Sequence, residues 1–148
     1  MTLELTTIAP VGSTRPAWAT DVAEFIARNT LALIFIFSGA DKLFIHTAAN
    51  VGYMQAAGIP LAGLLVYAAG LVEFVGGNLL AAGYQARIAA ALLAAFTLVA
   101  TLLFHNFWAA PADQAVLQTI MFLKNVAMFG GLLLVVVHGA GRLALKRG

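Results

Sequence analysis

Cysteine is absent from the 148 residues. That excludes a disulfide framework, a dithiol relay, a thiolate nucleophile and any iron–sulfur or zinc–thiolate centre. Any redox chemistry therefore belongs to a bound molecule or a partner. Charge is scarce too. Only 9% of residues are Asp, Glu, Lys or Arg, and 62% are hydrophobic, against about 25% and about 45–50% in a soluble domain. With a mean hydropathy of +0.95, these figures exclude a water-soluble globule and a disordered chain. The net charge of +2 is too small for phosphate binding, so no nucleic acid is expected as partner. The three histidines, His46, His105 and His138, are scattered. None has the close spacing of a metal pair on one helix, and no metal site is expected. There is no internal repeat and no low-complexity tract.

What is there is long apolar runs. A span needs about 20 residues, and this length allows four with short connections. Residues 1–21 are mixed and polar, with Pro10, Gly12 and Pro16. They read as a tail without the basic region and small-residue cleavage site of a secretory signal. Asp21 and Glu24 resemble a helix N-cap and its capping box. The spans then run over Val22–Phe44, Leu61–Ala82, Gln85–Phe107 and Ala115–Val137, within a domain of residues 22–137. A basic tail of residues 138–148 follows. The fold class this implies is all-α, an antiparallel four-helix bundle in a membrane. The loop from Phe44 to Pro60 is too apolar to be free and too short to span, so a short helix at the outer interface is expected there. Gly70, Gly76, Gly77, the alanines of residues 89–95, Gly130 and Gly131 are expected to let helix backbones approach.

Lys and Arg set the orientation. Arg15, Arg28, Arg87, Arg142, Lys146 and Arg147 fall on one side of the membrane, and only Lys42 and Lys124 on the other. This bias places both termini in the cytoplasm.

Ionisable residues inside the spans carry the functional signal, because a lone charge there costs at least about 2.5–3.5 kcal/mol. In the first span Arg28, Ala32, Phe35, Gly39 and Lys42 share one stripe, which is expected to face the bundle interior. Glu73 lies roughly 18 Å from the outer end of the second helix at 1.5 Å per residue, between Arg28 and Lys124 in height. It is either paired or protonated. Arg28, with its bidentate fork, is the expected structural ion-pair partner of Glu73. Lys124, Asn125 and His105 are then left to line an outer-facing pocket, with Lys42 and Glu73 as further ligand-binding candidates. Trp108 reads first as an interfacial anchor, His46 and His138 as ordinary interfacial residues. No side chain is assigned a catalytic role.

Several short pieces recur in a familiar order. They are Arg28, then residues 38–43 (Ser-Gly-Ala-Asp-Lys-Leu), residues 58–60 (Gly-Ile-Pro) and residues 73–77 (Glu-Phe-Val-Gly-Gly). Residues 83–87 (Gly-Tyr-Gln-Ala-Arg), 105–108 (His-Asn-Phe-Trp) and 122–125 (Phe-Leu-Lys-Asn) follow, then residues 130–132 (Gly-Gly-Leu). In these the chain resembles the DoxX family of small four-span bacterial membrane proteins, from about Arg28 to Gly131. The resemblance implies a four-helix inner-membrane protein. Relatives of that kind include the large-subunit type of thiosulfate:quinone oxidoreductase. Another is a mycobacterial member of a membrane complex with a sulfurtransferase and a superoxide dismutase.

The expected function is a subunit or accessory factor in quinone-linked or redox-stress metabolism. Its interior polar site would hold a quinone head group or a small oxidised substrate, with nothing covalently bound. Partners would be the lipid bilayer and a redox enzyme or further copies of the chain. Two other classes stand beside it. A small-solute transporter or channel requires a polar path through both faces. A non-catalytic scaffold for a soluble redox partner requires the buried charges only for folding.

Overall fold

The structure, a computed structural model, describes residues 16–145. Its helices are α1 (Ala17–Ala40), α2 (Thr47–Ala56), α3 (Ala62–Ala82), α4 (Ala86–Phe104) and α5 (Ala112–His138). A π-helical turn, Asp41–Ile45, extends α1, and a 3-10 turn, Phe107–Ala109, follows α4. No strand occurs among the described residues. Four segments are long and apolar enough to cross a bilayer: Ala17–Ile45, Ala62–Ala82, Ala86–Ala109 and Ala112–His138. The expected all-α four-span bundle is therefore present.

Punctuation residues set the helix ends. Pro16 and Pro111 precede α1 and α5 in extended backbone, ψ 140° and 149°, where a missing N–H costs nothing. Gly83 ends α3 at φ 68°. Its amide donates to Leu80 and that of Tyr84 to Leu79, the paired bonds of a Schellman turn. Asp21 is not the N-cap of α1. The helix starts earlier, after Pro16, so Asp21 lies within its second turn, 3.7 Å from Arg142. Residues 1–15 of the expected tail, and Lys146 and Arg147, lie outside the described residues. The described part of the expected basic tail folds back, its Leu145 amide donating to Ala82.

The buried residues of α1 are Arg28, Ala32, Phe35 and Gly39, the stripe that helical spacing marks out. α1 packs chiefly on α3, α3 on α4 and α4 on α5, while α1 and α5 touch little. Gly39 is where α1 and α3 come closest. A Cβ there would overlap the Phe74 amide nitrogen and lie 2.8 Å from the Gly70 carbonyl oxygen. Gly77 presses on Ile36, and Gly70 on Leu43 and Lys42. Position 39 thus stands level with 70–74, and this register positions the site. Gly76 packs on Leu93, and Ala89, Ala90 and Ala94 of α4 are buried. Gly130 departs from expectation: a Cβ there meets nothing within 4 Å. It faces outward because α5 buries only 6% of its most apolar stretch. The expected short helix is α2, which packs on α3 and the π turn.

Candidate functional site

Glu73 sits in the middle of α3 and is 6% exposed. Its Oε1 accepts a hydrogen bond from the Ser38 hydroxyl at 3.1 Å, and its Oε2 faces the Lys42 ammonium at 2.8 Å. The same ammonium donates to Ser38 Oγ at 2.7 Å. Ser38 therefore accepts from the cation and donates to the anion, closing a three-residue network. Lys42 reaches it from one helical turn beyond Ser38, where α1 passes into the π turn, whose signature is the His46 amide donating to the Asp41 carbonyl at 2.8 Å. π turns inside helices frequently mark functional positions.

This corrects the expected Arg28–Glu73 pair. Glu73 stands level with Gly39, and Arg28 is about 16 Å further along α1 at 1.5 Å per residue. The depth estimate failed because α1 begins at Ala17 and its lower turns extend past the end of α3. Arg28 is instead level with Gly83, which packs on its Nη1. It is 3% exposed and donates from Nη2 to the Leu143 carbonyl at 2.7 Å. Phe25 lies under the guanidinium, 5.7 Å from ring centroid to Cζ. Nε and Nη1 are buried without a hydrogen-bond partner among the described residues. Arg28 thus ties the α3–α4 turn to the returning C-terminal segment.

A cavity of about 520 Å³ opens in the half of the bundle that carries α2. Lys42, Glu73, His105, Lys124 and Asn125 all line it. The five ligand-site candidates come together, although only Lys42 and Glu73 touch each other. His105 Nδ1 lies 2.9 Å from Gln118 Oε1. A carboxamide oxygen only accepts, so Nδ1 carries a proton and donates to it. Lys124 has Met121 Sδ at 3.2 Å and no acidic partner among the described residues. The remaining wall is mainly apolar, with Phe35, Leu65, Phe96 and Leu103 among it.

Sequence reasoning missed Ser38, Asn50 and Gln118. Ser38 and Lys42 are four apart on the interior stripe, which was a usable signal. Asn50 joins α2 to Asp41 at 2.9 Å while lining the cavity, and only the fold of the loop reveals it. His46, expected to be an ordinary interfacial residue, bonds Asp41 Oδ1 at 2.6 Å. Trp108 stays outside the cavity, 61% exposed and edge-on to Phe107 and Phe122, as suits an interfacial anchor. No cluster of potential metal ligands occurs among the described residues.

Comparison with known proteins adds a family. The DoxX family profile matches residues 23–106. The Escherichia coli (strain K12) protein named inner membrane protein YqjF is 33% identical over 127 residues, 86% of this chain and 92% of the relative. Inner membrane protein YphA of the same organism is 32% identical over 136 residues, 92% and 93% of the two chains. No solved structure matches the chain.

Proposed function

The chain belongs to the DoxX family of integral inner-membrane proteins, and from that premise we propose that it serves quinone-linked or redox-stress metabolism as a subunit or accessory factor. The cavity holds the head group of a quinone or a similar small oxidised molecule. One observation carries this reading: five polar side chains from four helical segments converge on one mainly apolar cavity within the span. Intramembrane ionisable groups start with a functional presumption, and a mostly apolar pocket with few convergent polar groups is the usual form of a small-molecule site.

The residues present fit such a head group. Lys42 offers an ammonium already fixed by Ser38 and Glu73. Asn125 offers a donor and an acceptor, and His105, whose Nδ1–H donates to Gln118, offers in its neutral form an Nε2 acceptor for the hydroxyl of the reduced, quinol form. A ring carbonyl oxygen would take the Lys42 or Lys124 cation, which favours developing negative charge. Glu73, nearly inaccessible and held by Lys42 and Ser38, would exchange a proton with that oxygen only through the Lys42 ammonium. The bound molecule supplies the electron chemistry; the chain has no redox-active thiol. In the orientation that the Lys and Arg bias favours, the cavity is in the periplasmic half.

Mass spectrometry of the lipid-soluble molecules retained by the purified protein tests the reading. A quinone is expected with the native chain and is expected to be lost in Lys42→Met and His105→Ala. Recovery of ordinary phospholipid alone, with no quinone bound on addition, would overturn it.

A further inference from the structure

A second hollow, about 820 Å³, runs between α1 and α5 toward the end of the bundle where α1 begins. It follows from the packing order: α1 and α5 are the two helices that hardly meet. Its middle stretch is apolar, lined by Leu31, Ala127, Gly131, Leu134 and Val135. Glu24, Arg28 and His138 lie among its polar lining residues. Three residues, Ile34, Lys124 and Met128, line both this groove and the cavity of the candidate site. The two hollows therefore adjoin at these three residues. Two of the three, Lys124 and Met128, are long and unbranched. Met adapts readily to what lies against it, and Lys124 is exposed, with Met121 as its hydrogen-bond partner among the described residues.

We propose that the α1–α5 groove seats the hydrocarbon tail of a membrane-dissolved ligand whose head lies in the cavity. Lys124 stands at the neck between them. The ligand class is an amphiphile with an electron-rich, carbonyl-bearing or anionic head and a long apolar tail. This rests on the reading of the cavity as a head-group site and adds where the remainder of the molecule goes.

Two physical arguments support it. A long tail does not fit with its head in about 520 Å³, so it must leave the cavity. At the α2 end the cavity carries Asn50 and His105 beside Tyr53, Met54 and Ile59 and is roofed by α2, so a tail leaving there would run toward the aqueous interface, an unfavourable course for hydrocarbon. At the other end the neck leads into an apolar groove open to lipid, where the tail exchanges one apolar surround for another. The second argument is charge. Lys124 is a cation in the middle of a span with no acidic partner among the described residues. Such a group is costly unless an anion, a dipole or water meets it. A head group passing the neck, or resting above it, supplies that partner.

The test uses two benzoquinones with the same ring, one with a decyl tail and one without a tail. Binding to purified full-length protein is measured by titration of its intrinsic tryptophan fluorescence. Ala127→Phe and Gly131→Leu fill the groove without touching the cavity wall. A Cβ at Gly131 meets only Leu31, at 3.4 Å, an ordinary contact. Both variants are expected to bind the tailed ring at least tenfold more weakly and the tail-less ring as the native chain does. Unchanged binding of both rings, or equal loss of both, overturns the tail site while leaving the head-group site standing. Native protein that binds neither ring overturns both readings.

Discussion

Lys42 and Glu73 meet at 2.8 Å across the closest approach of α1 and α3, with Ser38 hydrogen-bonded to both. Glu73 is nearly inaccessible, whereas the Lys42 side chain keeps 17% of its surface open, on the cavity side. The pair is therefore a structural lock with one partner still available to a ligand. Removing the carboxylate leaves the cation in a poorly polar site. Breaking a buried pair costs about 3–5 kcal/mol when the remaining charge stays buried. Partial exposure of Lys42 lowers this, and we expect about 2–3 kcal/mol for Glu73→Gln. Thermal unfolding in detergent checks it. Adding Lys42→Met should restore part of the loss, as coupled neighbours do, whereas adding Arg28→Gln should only sum.

That experiment bears on what was legible in the sequence. The interior stripe of α1 was, because a period of 3.6 needs no knowledge of neighbours. Arg28, Ala32, Phe35 and Gly39 are all buried. The four spans were legible from length and hydropathy, and the five cavity residues because polar side chains within apolar runs stand out. The register between helices was not. It depends on where α1 begins, and an acidic residue at position 21 resembled a cap, while Pro16 starts the helix. It depends also on Gly39 fitting against Gly70 and Phe74, a match between two surfaces. The π turn that follows, Asp41–Ile45, has no sequence signature of its own. Hence Glu73 was assigned the wrong cation while its need for one was read correctly.

Ser38→Ala should separate the network from the ion pair. It removes one hydroxyl that donates to Glu73 and accepts from Lys42, leaving the charges in place. A loss of about 1–2 kcal/mol is expected, smaller than that of Glu73→Gln. A loss equal to that of Glu73→Gln would mean the ion pair has no strength without the hydroxyl.

Arg28 makes a different prediction. Its Nη2 bond to Leu143 and the Leu145 amide bond to Ala82 hold the returning segment on the α3–α4 turn. Arg28→Met should free residues 143–145, and the Leu145 amide should then exchange with deuterium at least tenfold faster. The Lys42–Glu73 pair, far along α1, should be untouched, so binding of a tail-less ring, which needs only the cavity, is expected to be unchanged. Unaltered exchange at Leu145 would show that the segment is held without Arg28.

Orientation follows from charge. Arg28, Arg87 and Arg142 all lie at the end where α1 begins and α5 finishes, Arg87 donating to Val136 and Val137 of α5. Positive residues favour the cytoplasmic side. A reporter fused after Gly148 should fluoresce if it needs the cytoplasm and stay inactive if it needs the periplasm. The reverse pattern would invert the bundle and move the cavity to the cytoplasmic half.

Two glycines with the same sequence character should behave in opposite ways. Gly39 and Gly130 both lie in apolar spans, yet only Gly39 stands where two backbones touch. A methyl group there overlaps the Phe74 amide nitrogen and sits 2.8 Å from the Gly70 oxygen. Neither is a side chain that can turn aside, so Gly39→Ala must push α1 from α3. Overpacking of this kind costs about 1–3 kcal/mol, and the displacement also stretches the Lys42–Glu73 contact. At Gly130 nothing lies within 4 Å, and alanine is the better helix former by about 1 kcal/mol. Gly130→Ala should therefore leave the melting temperature unchanged or raise it slightly. Loss of stability there would reveal a contact absent from the single chain, as a second copy packed along α5 would make. The same melting experiment thus reads the α1–α3 register at one glycine and the exposure of α5 at the other.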